Sequence, residues 1–241
     1  MIYLLVMPRK ISFVLPTYNE RENIVKLIEK IQTVSKKHNF NIEIIVIDDN
    51  SPDGTANAVK ELNKKYNNIR LFIRERKLGI ATAHLLGYKK ARGDIIISMD
   101  SDLSHDPASI PQFIQKINEG YDIVVGSRHI KGSYYEKKAL NIKIKYFLSK
   151  FGNILSTLIS HVPVHDFTNG YRAFRKKISD NMQIESTGNS FLMEFIVKAY
   201  RKGYKITEIP VTFFDRRFGK SKIKHGKESI RYFFKLFKYS R

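Results

Sequence analysis

Two aspartates that follow a short apolar segment are the residues of this sequence best suited to chemistry. Residues 95–99 are apolar and rich in isoleucine, which predicts a buried strand, and Asp100-Ser101-Asp102 follows directly. Side chains two positions apart on a strand point the same way, about 6–7 Å apart, so the two carboxylates repel each other unless a cation lies between them. A hard divalent ion that also holds phosphate oxygens suits such a pair, whereas the simpler interpretation is an ordinary solvated turn.

Other polar residues follow earlier predicted strands. The strand predicted over 11–15 is followed by Tyr18 and Glu20, and the strand predicted over 42–47 is followed by Asp49. Helical periodicity separates the strands, and this alternation predicts an α/β fold with a mostly parallel, Rossmann-like sheet and flanking helices. Ligands bind such sheets at the carboxyl ends of the strands. No glycine-rich phosphate loop follows a predicted strand, so a nucleotide would be held through a metal ion and basic side chains.

Three cations lie further along the chain. Arg128 follows another predicted strand, and Arg216 and Lys222 lie in a basic loop that contains a glycine. Taken alone, Arg128 is a surface arginine at a strand end and the other two belong to a solvated basic loop. Between these cations, the segment 166–172 has the composition of a polar turn.

The composition is strongly basic. The 241 residues include 43 Lys and Arg against 23 Asp and Glu, a net charge of +20. From residue 201 onward there are 13 basic and 3 acidic residues, which is half of the net charge. Such a balance favours phosphate-rich partners: nucleic acid, anionic lipid or phosphorylated substrates. Cysteine is absent, which excludes a disulfide framework and a zinc–thiolate site and suits a reducing compartment.

The motifs resemble the family 2 glycosyltransferases of GT-A fold. The resemblance rests on the segments 15–23, 47–55 and 99–107. The segments 126–128, 166–172 and 215–222 narrow it to the branch that transfers mannose to dolichyl (polyprenyl) phosphate. The similarity extends from about residue 10 to 230. One departure is Ser101, which stands where the family usually has alanine.

The resemblance implies an inverting transfer of mannose from GDP-mannose to dolichyl phosphate with Mg²⁺ or Mn²⁺, which gives a β-mannosyl phosphate. The residues that would hold the guanosine are Pro16, Tyr18, Glu20, Ile47 and Asp49. The metal, the diphosphate and the mannose would lie on Asp100, Ser101 and Asp102, with the two aspartates as metal ligands. The residues that would contact the diphosphate or the acceptor phosphate are Arg128, Arg216 and Lys222, which together with Asp102 form the expected catalytic set.

Residues 1–226 are expected to form a single GT-A catalytic domain, and residues 227–241 a basic amphipathic helix. That helix would present Ile230, Phe233, Phe234 and Phe237 opposite Lys227, Arg231, Lys235 and Lys238. An earlier helix has an apolar stripe of Ile144, Phe147, Leu148, Phe151, Leu155 and Leu158. No apolar stretch is long enough to span a bilayer, so we expect a cytoplasmic protein bound peripherally to the cytoplasmic face of a membrane. The resemblance also allows a separate membrane-anchoring subunit.

Two alternatives remain open at this point. Within the enzymes, a polyprenyl-phosphate glucosyltransferase that uses UDP-glucose has the same kind of motifs, because the sequence does not show which base or hexose fits. In another class, a basic protein rich in Tyr and Phe could bind nucleic acid. No nucleic-acid-binding motif is present, and acidic clusters at three strand ends would repel a phosphate backbone, so we expect no nucleic-acid partner.

Overall fold

The computed structural model describes residues 9–136, 140–214 and 225–240, with the backbone alone for 140–145 and 225–231. The strands are β1 (Ile11–Thr17), β2 (Ile42–Asp48), β3 (Ile69–Ile73), β4 (Ile95–Ser98), β5 (Ile123–Ser127), β6 (Tyr134–Tyr135), β7 (Arg172–Arg175), β8 (Ile206–Pro210) and β9 (Thr212–Phe213). The helices are α1 (Arg21–Lys37), α2 (Thr55–Tyr66), α3 (Ile80–Lys90), α4 (Ile110–Asn118), α5 (Leu140–Ser160), α6 (Lys176–Asp180), α7 (Ser190–Arg201) and α8 (His225–Ser240). A 3-10 turn, Pro107–Ser109, precedes α4.

Seven of these strands form one sheet in the order β3-β2-β1-β4-β7-β5-β8. Every neighbouring pair is parallel except those of β7, which runs antiparallel to both β4 and β5. The predicted mostly parallel α/β sheet is therefore confirmed. The strand β7 is not predicted by the sequence pattern, because its outer residues are Arg172 and Arg175. The remaining strands, β6 and β9, form a separate parallel pair.

Helices cover both faces of the sheet, and this explains why central strands such as β1 and β4 are buried and largely apolar. In β1, Phe13 and Leu15 enter one core cluster while Val14, which points the other way, enters the second. The first cluster is completed by α1, α2 and α4, and the second by α3, α6, α7 and α8. Among the described residues no helix is both long and apolar enough to cross a membrane.

Candidate active site

The parallel strands deliver polar residues to one edge of the sheet, here called the rim (Tyr18, Asp49, Asp100, Arg128 and Arg172). The first four follow the carboxyl ends of β1, β2, β4 and β5. The antiparallel β7 begins at the same edge, because Arg172 pairs with Ser98 at the end of β4. The strand-end residues singled out in the sequence are thus brought together on the side where open α/β sheets bind ligands.

Asp100 follows β4, which lies between β1 and β7 in the sheet. Its Oδ2 lies 3.5 Å from Nε2 of His105, and a Cβ built on Gly170 would stand 3.1 Å from its Oδ1. Burial raises the pKa of Asp100, but the contact with His105 and the charges of His84 and Arg128 outweigh it and lower the pKa to about 2. Asp100 is therefore ionised at neutral pH, and its side chain, 41% exposed, is open to a ligand.

His105 is the buried neighbour of this carboxylate. Its ring lies against those of Tyr171 and Phe213, with centroids 5.1 and 5.3 Å away, and neither ring nitrogen has a hydrogen-bond partner among the described residues. A β-bridge to Phe213 fixes its backbone. Buried polar atoms without a partner are uncommon in proteins. Here they lie next to Asp100, so His105 can restrain the position of that carboxylate.

The turn that carries Asp102 is strained and is tied to β1. Leu103 has φ of +63°, in the left-handed region that a bulky side chain rarely adopts. The Asp102 Oδ1 accepts the N–H of Ser104 at 3.0 Å, and the Ser101 hydroxyl donates to the carbonyl of Pro16 at 2.8 Å. The serine that replaces the family's usual alanine therefore joins the ends of β4 and β1.

Asp100 and Asp102 have the chemistry expected of ligands for Mg²⁺ or Mn²⁺, which both prefer carboxylate oxygens. The described part of the chain contains no group of three His, Cys, Asp or Glu side chains arranged to hold a metal ion. Mg²⁺ commonly binds through one or two carboxylates together with substrate phosphates and water. The two aspartates therefore fit a divalent ion that arrives with a diphosphate better than a cage made of protein ligands alone.

Asp49 is held by an arginine that the sequence analysis missed. Arg74 follows β3 and forms an ion pair with Asp49 through Nε and Nη2, both directed to Oδ1. Its other hydrogen bonds go to the Thr82 hydroxyl at 2.7 Å and the Gly79 carbonyl at 3.0 Å. Both charged side chains are buried. The pairing fixes the orientation of the Asp49 carboxylate and leaves Oδ2 as the oxygen that can accept from a ligand.

The other residues predicted to bind the nucleoside lie near Asp49 but differ in what they expose. Pro16 and Ile47 are paired across β1 and β2 and are buried, so their side chains are not exposed to a ligand. Glu20 is buried and accepts a hydrogen bond from Asn23 at 2.7 Å. Tyr18 is half-buried, and the ammonium of Lys77 lies 4.3 Å from its ring centroid. Tyr18 is thus placed to offer an aromatic surface at the rim.

Arg128 is oriented by a buried carboxylate. Its Nε and Nη2 donate to Asp166 at 2.7 and 2.8 Å, and Nη2 also donates to the Thr168 hydroxyl. Burial raises the pKa of Asp166, but the charge of Arg128 outweighs it and lowers the pKa to about 2. Glu208 in β8 accepts the backbone N–H groups of His165 and Asp166 at 2.9 and 3.0 Å. A chain of polar contacts from β8 thereby aims the guanidinium, and Nη1 has no hydrogen bond to the described residues.

Two buried basic residues lie behind Asp100. Arg172 donates to the carbonyls of Asn169 and Leu192, and burial lowers its pKa to about 10, so it remains charged at neutral pH. His84 lies with Nδ1 2.9 Å from the Ser98 hydroxyl, and burial lowers its pKa to about 4. Arg172 therefore contributes a buried positive charge to the rim at neutral pH, whereas His84 is neutral.

Arg216 and Lys222, expected to contact the acceptor phosphate, lie outside the described residues. Phe214, the last described residue before them, donates its N–H to the Ser104 carbonyl at 2.9 Å. The chain that leads to Arg216 and Lys222 is therefore attached to the turn that carries Asp102.

The sequence match places this chain in one large family of sugar-transferring enzymes. The sequence pattern described as glycosyl transferase family 2 matches residues 12–182, and the chain belongs to this family. It is 36% identical over 236 residues to dolichol-phosphate mannosyltransferase of Pyrococcus furiosus. The matched region covers 95% of this chain and 64% of that protein. It is also 30% identical over 217 residues to polyprenol monophosphomannose synthase of Mycolicibacterium smegmatis. That match covers 87% of this chain and 79% of that protein.

Solved structures show the same fold at lower sequence identity. Glucosyl-3-phosphoglycerate synthase of Mycobacterium tuberculosis superposes with a TM-score of 0.71 at 20% identity, over 96% of this chain and 81% of that one. The same enzyme in complex with Mn²⁺ and UDP-glucose also gives a TM-score of 0.71, at 20% identity, over 96% of this chain and 79% of that one. These similarities confirm the GT-A fold. The family match, in turn, favours a glycosyltransferase over a nucleic-acid-binding protein.

Proposed function

We propose that this chain transfers mannose from GDP-mannose to a dolichyl or other polyprenyl phosphate. The observation that carries the proposal is the composition of the rim, where the ionised carboxylate of Asp100 and the guanidinium of Arg128 follow β4 and β5, the two strands on either side of β7. Such a site can hold a metal-bound leaving diphosphate on one side and an anionic acceptor on the other. The names of the two relatives supply the sugar and the acceptor class.

On the donor side, Asp100, Ser101 and Asp102 would hold the diphosphate and the sugar. A divalent cation bound there would neutralise the charge that develops on the leaving diphosphate. The guanosine would lie towards β1 and β2, against Tyr18 and the Asp49 carboxylate. Support for this placement comes from the Arg74–Asp49 pair, which fixes a hydrogen-bond acceptor for a base N–H group.

On the acceptor side, the nucleophile is an oxygen of the polyprenyl phosphate. A phosphate ester has a second pKa of about 6, so the acceptor is already anionic at neutral pH and the protein needs no strong general base. What the protein must do is hold two phosphate groups close together against their repulsion. Arg128, through its Nη1, together with Arg216 and Lys222, would do this. In-line attack on the sugar carbon would invert it and give the β-linked mannosyl phosphate.

The acceptor's hydrocarbon chain lies in a bilayer, so we propose that the enzyme works peripherally at the cytoplasmic face of a membrane. In α8, Phe234 and Phe237 are 74% and 53% exposed, while Leu236 is fully buried against the catalytic body. The helix therefore packs through one side and presents aromatic residues on another. Lys235 faces the body, where it donates to Ser186 at 3.0 Å. A separate membrane-anchoring subunit is compatible with this arrangement.

A panel of donors and acceptors tests the proposed reaction. Purified protein is incubated with GDP-mannose, UDP-glucose and other nucleotide sugars, with a short-chain dolichyl phosphate and either Mg²⁺ or Mn²⁺. We expect lipid-linked mannose from GDP-mannose alone, with a β-anomeric signal by NMR. Glucose transfer from UDP-glucose in its place would assign the chain to the glucosyltransferase alternative. Salt-sensitive binding to oligonucleotides, with no effect of GDP-mannose on the melting temperature, would contradict both.

A further inference from the structure

Helix α5 is amphipathic in the opposite sense to an ordinary surface helix. Five of its large apolar residues point outward, and we call them the outer stripe: Phe147, Leu148, Phe151, Ile154 and Leu158, between 49% and 66% exposed. The sequence predicts most of this stripe but not its direction. A surface helix of a soluble domain normally turns such a stripe to the core. An apolar face of this length left at the surface indicates a binding partner.

The inward side of α5 is made of small polar residues. Asn153, Ser156 and Ser160 are at most 2% exposed. The Asn153 Oδ1 accepts the N–H of Phe167 at 2.8 Å, and the Ser156 and Tyr232 hydroxyls are 2.9 Å apart. These specific contacts fix the rotation of the helix. Turning the outer stripe inward would break them, so the stripe is held at the surface by hydrogen bonds rather than left there by loose packing.

We propose that the outer stripe of α5 is a lipid-binding surface that docks on an anionic bilayer. Charge favours a membrane over an apolar protein groove, because the sequences of α5 and α8 together contain seven Lys and Arg, of which Lys235 faces the body, and a single Glu. Lys150, which is exposed, precedes Phe151 of the outer stripe, and Lys238, also exposed, follows Phe237 and forms an ion pair with Glu185. Apolar residues that enter the interface next to cations that meet the headgroups are the usual pattern of interfacial helices.

Helix α8, which exposes Phe234 and Phe237, packs beside α5 through Tyr232 and Ser156, so both helices could meet the same bilayer. The surface also borders the rim. The Ser149 hydroxyl is 3.4 Å from Nε2 of His129, the residue after Arg128, and Asn153 holds the backbone at Phe167, the residue after Asp166. Docking through α5 would therefore bring the acceptor side of the rim to the level of the lipid headgroups. This step rests on the proposed function.

The chain contains no tryptophan, so a single introduced tryptophan reports on one position. Phe151→Trp places the probe in the outer stripe, and Phe40→Trp places it before β2, at the edge of the sheet opposite the rim. The lipid is a phosphatidylcholine vesicle with or without phosphatidylglycerol. With anionic vesicles we expect a blue shift at position 151 and quenching by lipids brominated in the acyl chain, with neither at position 40. No response at 151, or equal responses at both positions, would overturn the proposal.

A second set of variants measures how much the stripe contributes. Replacing Phe147 and Phe151 by serine should weaken vesicle binding by roughly tenfold per phenylalanine, since each loses most of its transfer free energy. The control is Tyr200→Ser on α7, which removes another exposed aromatic residue and should bind as wild type. Nucleotide binding, measured by calorimetry, should be unchanged in all of them. Wild-type vesicle binding by the double variant would contradict the proposal, as would a protein dimer that dissociates on the same substitutions.

The same experiments separate this inference from the proposed reaction. If the probe of the Phe151→Trp variant inserts into vesicles but no sugar is transferred to any polyprenyl phosphate, the reaction is overturned and the lipid surface stands. If the variant transfers sugar to a water-soluble, short-chain acceptor while its probe stays in water in the presence of anionic vesicles, the lipid surface is overturned and the reaction stands.

Discussion

The backbone of Gly170 lies against the carboxylate of Asp100. A Cβ at this glycine would stand 3.1 Å from Oδ1, tighter than ordinary van der Waals contact, and 3.4 Å from Oδ2. The absence of a side chain therefore allows the segment before β7 to approach the strand-end aspartate. On the other side, His105 lies 3.5 Å from Oδ2. The carboxylate is thus confined between two segments that are distant in sequence.

Gly170→Ala should displace Asp100 by a few tenths of an ångström and lower sugar transfer about tenfold, because small misplacements at a reacting centre are costly. The melting temperature should change little. Gly152→Ala is the matched control, since a Cβ there meets nothing within 4 Å and should leave transfer unchanged. Equal activity of both variants would show that the position of Asp100 is not critical.

Asp102→Asn should abolish transfer, by about two to three orders of magnitude, while the fold survives. The substitution removes one negative charge from the pair expected to hold a metal-bound diphosphate, and the lost stabilisation is worth several kcal/mol. The amide oxygen can still accept the Ser104 N–H, so the turn is preserved. Turnover at saturating Mg²⁺ and Mn²⁺ is the measurement. Comparable rates for variant and wild type would remove Asp102 from the metal site.

Glu208→Gln should impair sugar transfer indirectly, by disturbing the orientation of Arg128, although Glu208 does not contact that arginine. The glutamine keeps only one acceptor oxygen for the two backbone N–H groups that Glu208 now binds. Asp166 and its guanidinium partner would lose their alignment, and we expect a higher KM for the acceptor with little change in KM for the donor. His165→Ala, which removes the side-chain partner of Glu208, is the control. A lower kcat, with the KM values for donor and acceptor changed to the same extent, would indicate a general structural effect instead.

Arg216→Ala and Lys222→Ala should reduce turnover more than nucleotide affinity. Both residues follow the donor-binding motifs in sequence, and the chain that leads to them is attached to the Asp102 turn through Phe214. Calorimetry with GDP and metal, beside steady-state kinetics, separates the two effects. If GDP binding is lost as completely as activity, the residues serve the nucleotide and not the acceptor.

The burial of His84 predicts a loss of stability at mildly acidic pH. The pKa is lowered from 6.5 to about 4 in the folded chain, so between these values the unfolded chain binds a proton that the folded chain does not. Stability present above pH 6.5 is therefore lost as pH falls towards 4, by up to about 3 kcal/mol. Because the pKa values of Asp100 and Asp166 are about 2, the stability that these two carboxylates contribute is lost at lower pH than that of His84. Urea unfolding of wild type and His84→Gln measures this, and equal pH slopes over that window would contradict it.

The strand ends of the rim could be predicted because their signals are local. An apolar run that stops at a polar residue marks each of them, and alternation with helices places their carboxyl ends at one edge. Long-range pairing leaves no such signal. Asp49 and Arg74 are 25 positions apart, and Arg128 and Asp166 are 38 positions apart, so the sequence around either acid does not indicate its ion-pair partner.

The local sequence pattern also does not show whether the apolar side of an amphipathic helix faces the core or the surface. The periodicity of α5 predicts a stripe containing Phe151, but the side that faces the body is decided by what surrounds it, here the Phe167 backbone and the Tyr232 hydroxyl. The strand β7 escapes prediction for a related reason. Arg172 resembles a solvated residue in sequence, yet it is buried because two backbone carbonyls accept its hydrogen bonds.

The single antiparallel strand has a consequence for the order in which the molecule assembles. The strands β1, β2, β3 and β4 all come from residues 11–98, so this part of the sheet can pair before Arg172 has been made. The pairing of Ser98 with Arg172 then connects it to β7. Because β7 lies between β4 and β5, the two parts of the sheet are joined only when β7 has paired with both. Asp100 and Arg128 would then lie on separate surfaces until β7 has paired. The complete site of a nascent chain would therefore form in one late step.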